Sequence, residues 1–440
     1  MRNSLIATLI AGAFASLNAY AVDLVQVYKE ALANDAQYAS ARAGLAAGQE
    51  RAPQARAGLL PTVGLSGSYS RSNSETSAAG IEASTPTFGT KGYTLSLSQP
   101  LFRLANWETY QQGKLSVAAS EAQFAQAQQD LIVRVAQAYF DVLTAQDALA
   151  SVQAQMAAIT EQLASAKRNF EVGTATITDT HEAQARYDLA VAQEFAAQND
   201  LEIRRSALQQ IIGKPAGDLA SLRPGLKLSP PEPMQIEKWV GSAEQQNYSV
   251  VGQQLQVEIA QREIGKSRAG HYPTVDLVAS RNHSNPNWTR DAPGGATSNS
   301  NSIGVQVAIP IFSGFSVTSR VRETIALEDK ARSDLENARR TAAQGARQAF
   351  FGVNAGLAQV RALEAAEVSS QSALESNRLG YQVGVRINID VLNAQQQLFT
   401  TRQSLAKARY DTIMNGLRLK SAAGTLKEED LMQVNALLQH

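Results

Sequence analysis

The sequence has no cysteine among its 440 residues. This absence excludes disulfide bonds, thiolate metal sites and an acylated N-terminal cysteine. Histidine is scarce, and none of the four has a neighbour at metal-ligand spacing: His181, His271, His283 and His440. Phosphate-binding loops, dinucleotide fingerprints and nucleophile elbows are also missing, and the carboxylates are scattered over helix faces. We therefore predict a protein that is not an enzyme and that has no metal or cofactor site.

Net charge and long apolar runs are lacking as well. The 40 basic residues balance 40 acidic ones, so nothing favours nucleic acid as a partner. Residues 5–14 form the one long apolar run; Arg2 precedes it and Ala19-Tyr20-Ala21 follows it, which predicts a signal peptide over residues 1–21. A membrane anchor is the alternative, but the run is shorter than the roughly 20 residues of a spanning helix. Any other membrane span would have to consist of strands.

The sequence does contain one unit twice, with a period near 211 residues. Each copy has an alternating strand that meets a proline, a long proline-free helical tract, a Val-Gly turn and a returning helix. The second tract, over residues 317–381, would be roughly 100 Å long as a helix. The matched positions are Pro100 with Pro310, Gln137 with Gln348, Gly173 with Gly384, and Gly213 with Gly424.

These signals divide the chain into two repeats and three smaller segments. The first repeat, residues 22–213, is predicted to have strands at about 62–70 and 92–100, a long helix at about 101–170 and a return helix at about 178–213. The second, residues 248–424, is predicted to have strands at about 273–281 and 302–310, a long helix at about 317–381 and a return helix at about 389–423. The remaining segments are the signal peptide, a proline-rich linker and equatorial segment at 214–247, and a C-terminal tail at 425–440.

The four strands are predicted to be about ten residues long, with one apolar face and one face of Ser, Gly, Thr and Gln. This pattern suits an outer-membrane barrel, and a soluble half-buried sheet is the alternative. Four strands cannot close a barrel, which needs about eight or more, so several copies would have to share one. Three copies would supply twelve strands. Four prolines are expected at the junctions of strand and helix: Pro61, Pro100, Pro273 and Pro310.

The long helices have coiled-coil spacing. In the first, apolar residues recur every seven positions, and each is followed three positions later by another. A plain coiled-coil stalk is the alternative, but it leaves the strands unexplained. The seam consists of Val135, Val142, Leu149, Met156, Leu163 and Phe170 with Ala138, Ala145, Val152, Ile159 and Ala166.

Several motifs, in order and over nearly the whole chain, resemble the TolC family of outer-membrane channel proteins. They are Pro273-Thr-Val275, Ile309-Pro-Ile-Phe-x-Gly314, Gly380-Tyr-x-Val-Gly384, Ile389-Asp-Val-Leu392, Ala408-Arg-Tyr410 and Lys420-Ser-Ala-Ala-Gly-Thr425. The resemblance implies a mostly α fold with a transmembrane β part: a homotrimer whose twelve-stranded barrel crosses the bacterial outer membrane and continues into a periplasmic α-helical barrel. It also implies the exit duct of a tripartite efflux or type I secretion system, which contacts outer-membrane lipid, a periplasmic adaptor and an inner-membrane ABC, RND or MFS transporter.

The resemblance further places a gate at the turns near residues 170–179 and 381–393. Asp390 matches the first position of an aspartate ring that narrows the pore, whereas the second position holds Asn393. We therefore expect weaker cation selectivity and weaker block by trivalent cations. The other positions that match gate contacts are Tyr381, Arg386, Thr178, Asp179 and Gln162.

Local explanations exist for the same residues. Asp179 could cap the return helix in a capping box with Glu182, and Asp390 would be favoured in any first helical turn. The turn residues are ordinary turn chemistry, but their place at the tips makes them the expected adaptor contact. They are Val172, Gly173, Thr174, Val383, Gly384 and Val385. An exported coiled-coil adhesin without channel activity is the alternative function, and the sequence leaves the cargo open.

Overall fold

The structure, a computed structural model, describes residues 21–73, 76–78, 81–84, 87–174, 176–286 and 295–439. The predicted signal peptide lies outside the described residues except for Ala21. Contacts divide the chain into two compact units, which we describe separately. The sheet unit contains Ala41–Gln126 and Tyr248–Arg340, and the helical unit contains Met1–Ser40, Ala127–Asn247 and Thr341–His440. Each unit takes segments from both sequence repeats.

The sheet unit contains a four-stranded antiparallel sheet in the order β1-β4-β5-β6. The four long strands have 12, 16, 13 and 11 residues, so each is longer than the expected ten or so. Two short strands, β2 (Thr76–Ala78) and β3 (Ile81–Ser84), pair with each other between β1 and β4. The four long strands are β1 (Thr62–Asn73), β4 (Thr87–Phe102), β5 (Thr274–Pro286) and β6 (Ser298–Ala308).

Three of the four prolines lie just outside strands. Pro61 and Pro273 directly precede β1 and β5, and Pro310 lies two residues beyond β6. Pro100 lies two residues before the end of β4, so this strand continues past the end predicted at about residue 100. The pairing of β4 with β5 is irregular between Pro100 and Phe102, and such an irregularity accommodates a residue without an amide donor.

The sheet has one apolar and one polar face. Leu65 pairs with Leu95, and Ile303 pairs with Ala279; Leu65 is 73% exposed and Ile303 78%. The neighbouring residues point to the other face, where the Thr94 hydroxyl donates a 3.0 Å hydrogen bond to Asn282 Oδ1. A contiguous exposed apolar face of this kind requires an apolar surrounding or a partner.

The helices account for most of the remaining chain. Two short helices, separated at Glu50, precede the first strand of the sheet. Among the described residues, no helix is both long and apolar enough to cross a membrane. The helices are α1 (Leu24–Asn34), α2 (Ala36–Gln49), α3 (Arg51–Ala57), α4 (Leu104–Glu171), α5 (Ile177–Ile212), α6 (Ile236–Gln246), α7 (Tyr248–Arg268), α8 (Ser316–Gln382), α9 (Asn388–Ala422) and α10 (Glu428–Asn435).

The core of the helical unit is built on the predicted seam of α4. Val135, Val142 and Ala166 are buried, in agreement with the heptad pattern. The seam ends earlier than expected, because Phe170 is 43% exposed. This residue is the last but one of α4, so no further turn of the helix covers it.

Two acidic side chains near this core, Asp35 and Asp147, have pKa values that are shifted in opposite directions. Asp35 accepts two hydrogen bonds from Arg134, at 3.0 and 2.9 Å. Burial alone would raise the pKa of Asp35, but the bonds from Arg134 and from the Tyr38 amide outweigh burial and lower it. Asp147 accepts a 2.7 Å bond from the Tyr410 hydroxyl, and here burial prevails over that bond and raises the pKa of Asp147.

Candidate functional site

The helical unit contains two turns that join long antiparallel helices. In the α4–α5 turn, Gly173 has φ of 77° and the Thr174 amide donates to the Asn169 carbonyl at 2.8 Å. In the α8–α9 turn, Gly384 has φ of 79° and the Val385 amide donates to the Gly380 carbonyl at 2.9 Å. Both are Schellman-type helix ends, and both need the left-handed backbone that glycine adopts without strain.

Apolar side chains project from both turns. Val172 is 72% exposed and Val385 is 76% exposed, and Val383 is exposed as well. Gly173, Thr174 and Gly384 are also exposed, so all six residues predicted as adaptor contacts lie on the surface of this single chain. Val383 and Val385 lie two residues apart, so the α8–α9 turn presents two exposed apolar side chains.

The first turn is closed by a capping box, but not the predicted one. Thr176 is the N-cap of α5, and its hydroxyl accepts from the Asp179 amide at 3.3 Å. The Asp179 carboxylate accepts in return from the Thr176 amide at 3.0 Å. Asp179 therefore occupies the N3 position of α5, and Thr176 is the N-cap. Glu182 is not part of the capping box. The neighbouring Thr178 is exposed.

The second turn has no comparable cap. Ile387 occupies the N-cap position of α9 and makes no side-chain capping bond. Asp390 lies in the first turn of the helix, where its charge is favoured by the helix dipole, and its Oδ2 lies 3.7 Å from Arg386 Nη1. Tyr381, at the end of α8, accepts a 3.3 Å hydrogen bond at its hydroxyl from Asn169 of α4. The predicted residues Tyr381, Arg386 and Asp390 thus meet at one turn.

Two amide side chains of α9 connect this helix to the α4–α5 pair. Gln162 of α4 donates from Nε2 to Asn388 Oδ1. Asn388 is 1% exposed, and its Nδ2 is buried without a hydrogen-bond partner among the described residues. Arg186 of α5 donates from Nη2 to Asn393 Oδ1 at 3.0 Å. The structure therefore brings Gln162 and Asn393 into contacts between helices, whereas the side-chain bonds of Asp179 stay within its own turn.

Apolar contacts hold the same three helices together. Ile159, Ala190 and Leu392 form one buried cluster of α4, α5 and α9. Tyr381 packs against a second cluster, which contains Leu374 and Val391. The polar contacts consequently lie beside closely packed side chains. A displacement of one of these helices would therefore displace the helix packed against it.

Sequence reasoning missed Asn388, Arg186 and Asn169. Asn388 stands next to the recognised Ile389-Asp390 motif, and a polar residue at the first position of a helix was the available signal. Arg186 and Asn169 lie in polar segments of the sequence. Nothing in the local pattern distinguishes their side chains from solvent-exposed ones.

A four-stranded sheet with open edges and one apolar face, on a chain that also carries two long helical hairpins with ordered turns, defines an outer-membrane channel of the efflux and secretion type. The family described as Outer membrane efflux protein matches residues 27–214 and 239–425, one match for each repeat. The chain belongs to this family.

Individual relatives agree. The chain is 35% identical over 434 residues to Outer membrane protein TolC of Escherichia coli (strain K12), with 97% of this chain and 86% of the relative covered. It is 32% identical to Proteases secretion protein PrtF of Dickeya chrysanthemi, with 96% and 92% covered. These relatives are channel and secretion proteins rather than enzymes.

Solved structures share the fold at lower identity. The outer membrane protein VceC of Vibrio cholerae superposes with a TM-score of 0.77 at 21% identity, covering 91% of this chain and 96% of that one. The CmeC outer membrane channel of Campylobacter jejuni gives a TM-score of 0.79 at 18% identity, covering 94% and 90%. The prediction of an outer-membrane efflux or secretion channel is confirmed, and the adhesin alternative is not favoured.

Proposed function

We propose that three copies of this chain form one continuous exit duct, in which the sheets join to a twelve-stranded barrel and the helices form a tube on the periplasmic side. The observation that carries the proposal is the sheet with its two edges. β1 and β6 are the edge strands, of 12 and 11 residues, and each presents a row of backbone groups that no other strand of the described residues pairs with. In lipid such groups must be paired, so the β6 edge of one copy would pair with the β1 edge of the next.

The apolar face supports the same assembly. Val63, Leu65, Ile303 and Val305 belong to the two edge strands and are exposed in the single chain. In a closed barrel they would face the lipid, and the Ser, Thr and Asn side chains of the other face would line a water-filled bore.

The turns of the helical unit would close and open the duct. Asp390 would form a ring of one carboxylate per copy, and Asn393 would leave the next ring uncharged. Tyr381, Arg386 and Gln162 would hold α8 and α9 against α4 and α5 through the contacts described above. Thr178 and Asp179, at the start of α5, would complete the closed arrangement with a neighbouring copy.

The exposed valine turns would dock on a periplasmic adaptor, and an inner-membrane transporter of the ABC, RND or MFS class would supply the substrate. The description of the family refers to efflux, and the name of one relative refers to the secretion of proteases. The conduit would accept either kind of cargo, because the transporter selects it. The chain would act as a passage and catalyse no reaction.

Disulfide trapping tests the assembly cleanly, because the chain has no cysteine. β1 and β6 are three strand spacings apart within one sheet, about 14 Å at the usual spacing. A disulfide needs Cα atoms within about 7 Å, so a bond between these strands must join two copies. Leu65→Cys would be combined in turn with cysteine at Asn301, Ile303 and Val305, to scan the register between copies.

The expected result is a covalent trimer in detergent-extracted membranes for at least one of these pairs. The matched control is Leu65→Cys with Leu95→Cys, which are directly opposite in one sheet and would bond within a monomer. Purified trimers should also give discrete conductance steps in planar bilayers. A protein that is extracted without detergent as a monomer and carries no current would refute the proposal.

A further inference from the structure

At the end of the sheet that is remote from the helices, the apolar face carries basic side chains and tyrosines. Along β1, Val63 and Leu65 lead to Tyr69 and Arg71 on the same face, since alternate residues share a face. The register carries this boundary across the sheet, because Tyr69 pairs with Lys91, Leu95 with Arg281, and Tyr93 with His283. All four basic residues of these strands are therefore on the apolar face: Arg71, Lys91, Arg281 and His283.

The aromatic residues hold this basic belt in place. The rings of Tyr93 and His283 stack with centroids 4.9 Å apart and an interplanar angle of 22°. Lys91 Nζ lies 6.0 Å from the centroid of the Tyr69 ring. On its other side, His283 Nδ1 is 2.7 Å from Asn299 Oδ1. The belt is thus an ordered array of cations and tyrosines and not a set of independent surface chains.

The belt has no counter-charge within the sheet. Asp276 is the one acidic residue in β1, β4, β5 and β6. It lies near the helix end of β5, on the opposite face, and is bound by Arg103 at 2.8 and 2.6 Å. Among the side chains that the structure describes, no carboxylate oxygen lies within 4 Å of Arg71, Lys91 or Arg281. Arg71, Lys91 and Arg281 therefore have no carboxylate partner among the described side chains, and an anion from outside the chain would complement them.

We propose that this basic belt, Arg71, Lys91, Arg281 and His283, binds the phosphate groups of the outer-leaflet glycolipid, diphosphoryl lipid A. The proposal rests on the proposed function, in which this face meets lipid and the helix-remote end points outwards. Guanidinium and ammonium groups bind phosphate strongly, and tyrosines occupy the interface between lipid and water. Val63 and Leu97 form the row below that of Leu65, Leu95 and Arg281, and they would contact the acyl chains. Charge complementarity selects this occupant, because phosphates supply what the face lacks.

The test uses the full mature protein as purified in detergent and measures bound lipid by native mass spectrometry, with the thermal midpoint as a second readout. The probe is diphosphoryl lipid A, and the comparison lipid is the same molecule without its phosphates. The test variant is Lys91→Gln with Arg281→Gln. The control variant is Lys330→Gln with Arg340→Gln, which removes the same charge from exposed positions of α8.

We expect diphosphoryl lipid A to bind the native protein and the α8 variant alike, and to bind the belt variant at least tenfold more weakly. The dephosphorylated lipid should bind all three proteins weakly and equally, and salt should reduce only the binding of the phosphorylated lipid. Equal binding of both lipids, an equal loss in the α8 variant, or equally strong binding of phosphatidylglycerol would overturn the proposal. The belt variant should still form conducting trimers; if no protein forms them, the proposed function fails instead.

Discussion

Arg186 of α5 and Asn393 of α9 are joined by a 3.0 Å hydrogen bond, in which the guanidinium donates to a neutral amide oxygen. The position that the family resemblance assigns to a second pore carboxylate thus carries an uncharged group that already has a partner within the same chain. Asn393 thus combines an uncharged side chain with a contact between two helices.

Asn393→Asp should restore cation selectivity. The new carboxylate would keep the contact with Arg186 and add negative charge beside the Asp390 ring. We expect the permeability ratio of cations to anions, measured from reversal potentials in planar bilayers, to rise severalfold, and block by trivalent cations to strengthen. Asn393→Ala is the control, since it breaks the contact with Arg186 without adding charge. Equal selectivity in the two variants would contradict a role for charge at this position.

Arg386→Ala should increase the conductance of the closed channel. The ion pair with Asp390 is largely exposed, so its loss should change the free energy of unfolding by less than about 1 kcal/mol. Conductance reports the gate separately from stability. Tyr381→Phe is a milder change that removes only the bond from Asn169. If conductance stayed at its native value in both variants, these residues would not hold the gate.

Gly380→Ala should disturb the same turn without removing any polar group. A Cβ atom at Gly380 would lie 2.7 Å from Arg386 Cγ, so the arginine must move. We expect the conductance to increase as it does in Arg386→Ala. Gly416→Ala is the matched control in α9, because its Cβ would meet nothing within 4 Å; there alanine should stabilise the helix by up to about 1 kcal/mol and leave conductance unchanged. Identical conductance in the two alanine variants would argue against a gate at this turn.

Asp147→Asn should stabilise the protein at neutral pH. Burial raises the pKa of Asp147 above its ordinary value, so the folded state disfavours the carboxylate and stability falls as pH rises through that pKa. The asparagine oxygen can still accept the bond from Tyr410. The gain in thermal midpoint should be present at pH 7 and disappear at pH values low enough to protonate Asp147 in both states. Tyr410→Phe should instead cost about 1–3 kcal/mol at pH 7, because it leaves a buried carboxylate without its donor.

Asp35→Asn should have the opposite effect on stability at neutral pH. The pKa of Asp35 is lowered, so its pairing with Arg134 contributes stability above the ordinary carboxyl pKa and loses it as pH falls through the folded value. The variant should therefore be less stable at pH 7, and the deficit should shrink in acid. Thermal denaturation of both asparagine variants between pH 7 and pH 3 would check the pair of signs together; parallel profiles would contradict the assignment.

Val383→Asp with Val385→Asp should abolish transport and leave the fold intact. Both valines are exposed, so the change costs little stability, but a charged turn could no longer bury against a partner. Export of a reporter substrate and membrane levels of the trimer are the measurements. Replacement of both valines by threonine, which keeps the shape, is the control. Normal export by the aspartate variant would place adaptor contact elsewhere.

The elements that depend on local chemistry were predictable. Gly173 and Gly384 stand where a helix must reverse, and the heptads of α4 follow from spacing alone. The contacts between helices near the two turns were not predictable. Gln162 and Asn388 are 226 positions apart and Arg186 and Asn393 are 207 apart, so neither pair leaves a local pattern.

The errors have the same origin. A lone proline suggested a strand end at residue 100, but pairing with β5 continues past an irregular register. Asp179 suggested a cap, but Thr176 three positions earlier fills that role. In both cases a neighbouring part of the structure outweighed the local preference of one residue, and the sequence pattern does not show which of the two prevails.

The unequal starts of the two return helices give the molecule a mechanical asymmetry. The start of α5 is stabilised by the two reciprocal hydrogen bonds of a capping box. The N-cap of α9 is Ile387, whose side chain cannot accept a hydrogen bond from the free amides of the first turn. If the proposed adaptor docks on both turns, the α8–α9 hairpin would therefore change its angle at this turn at a lower cost in hydrogen bonds than the α4–α5 hairpin.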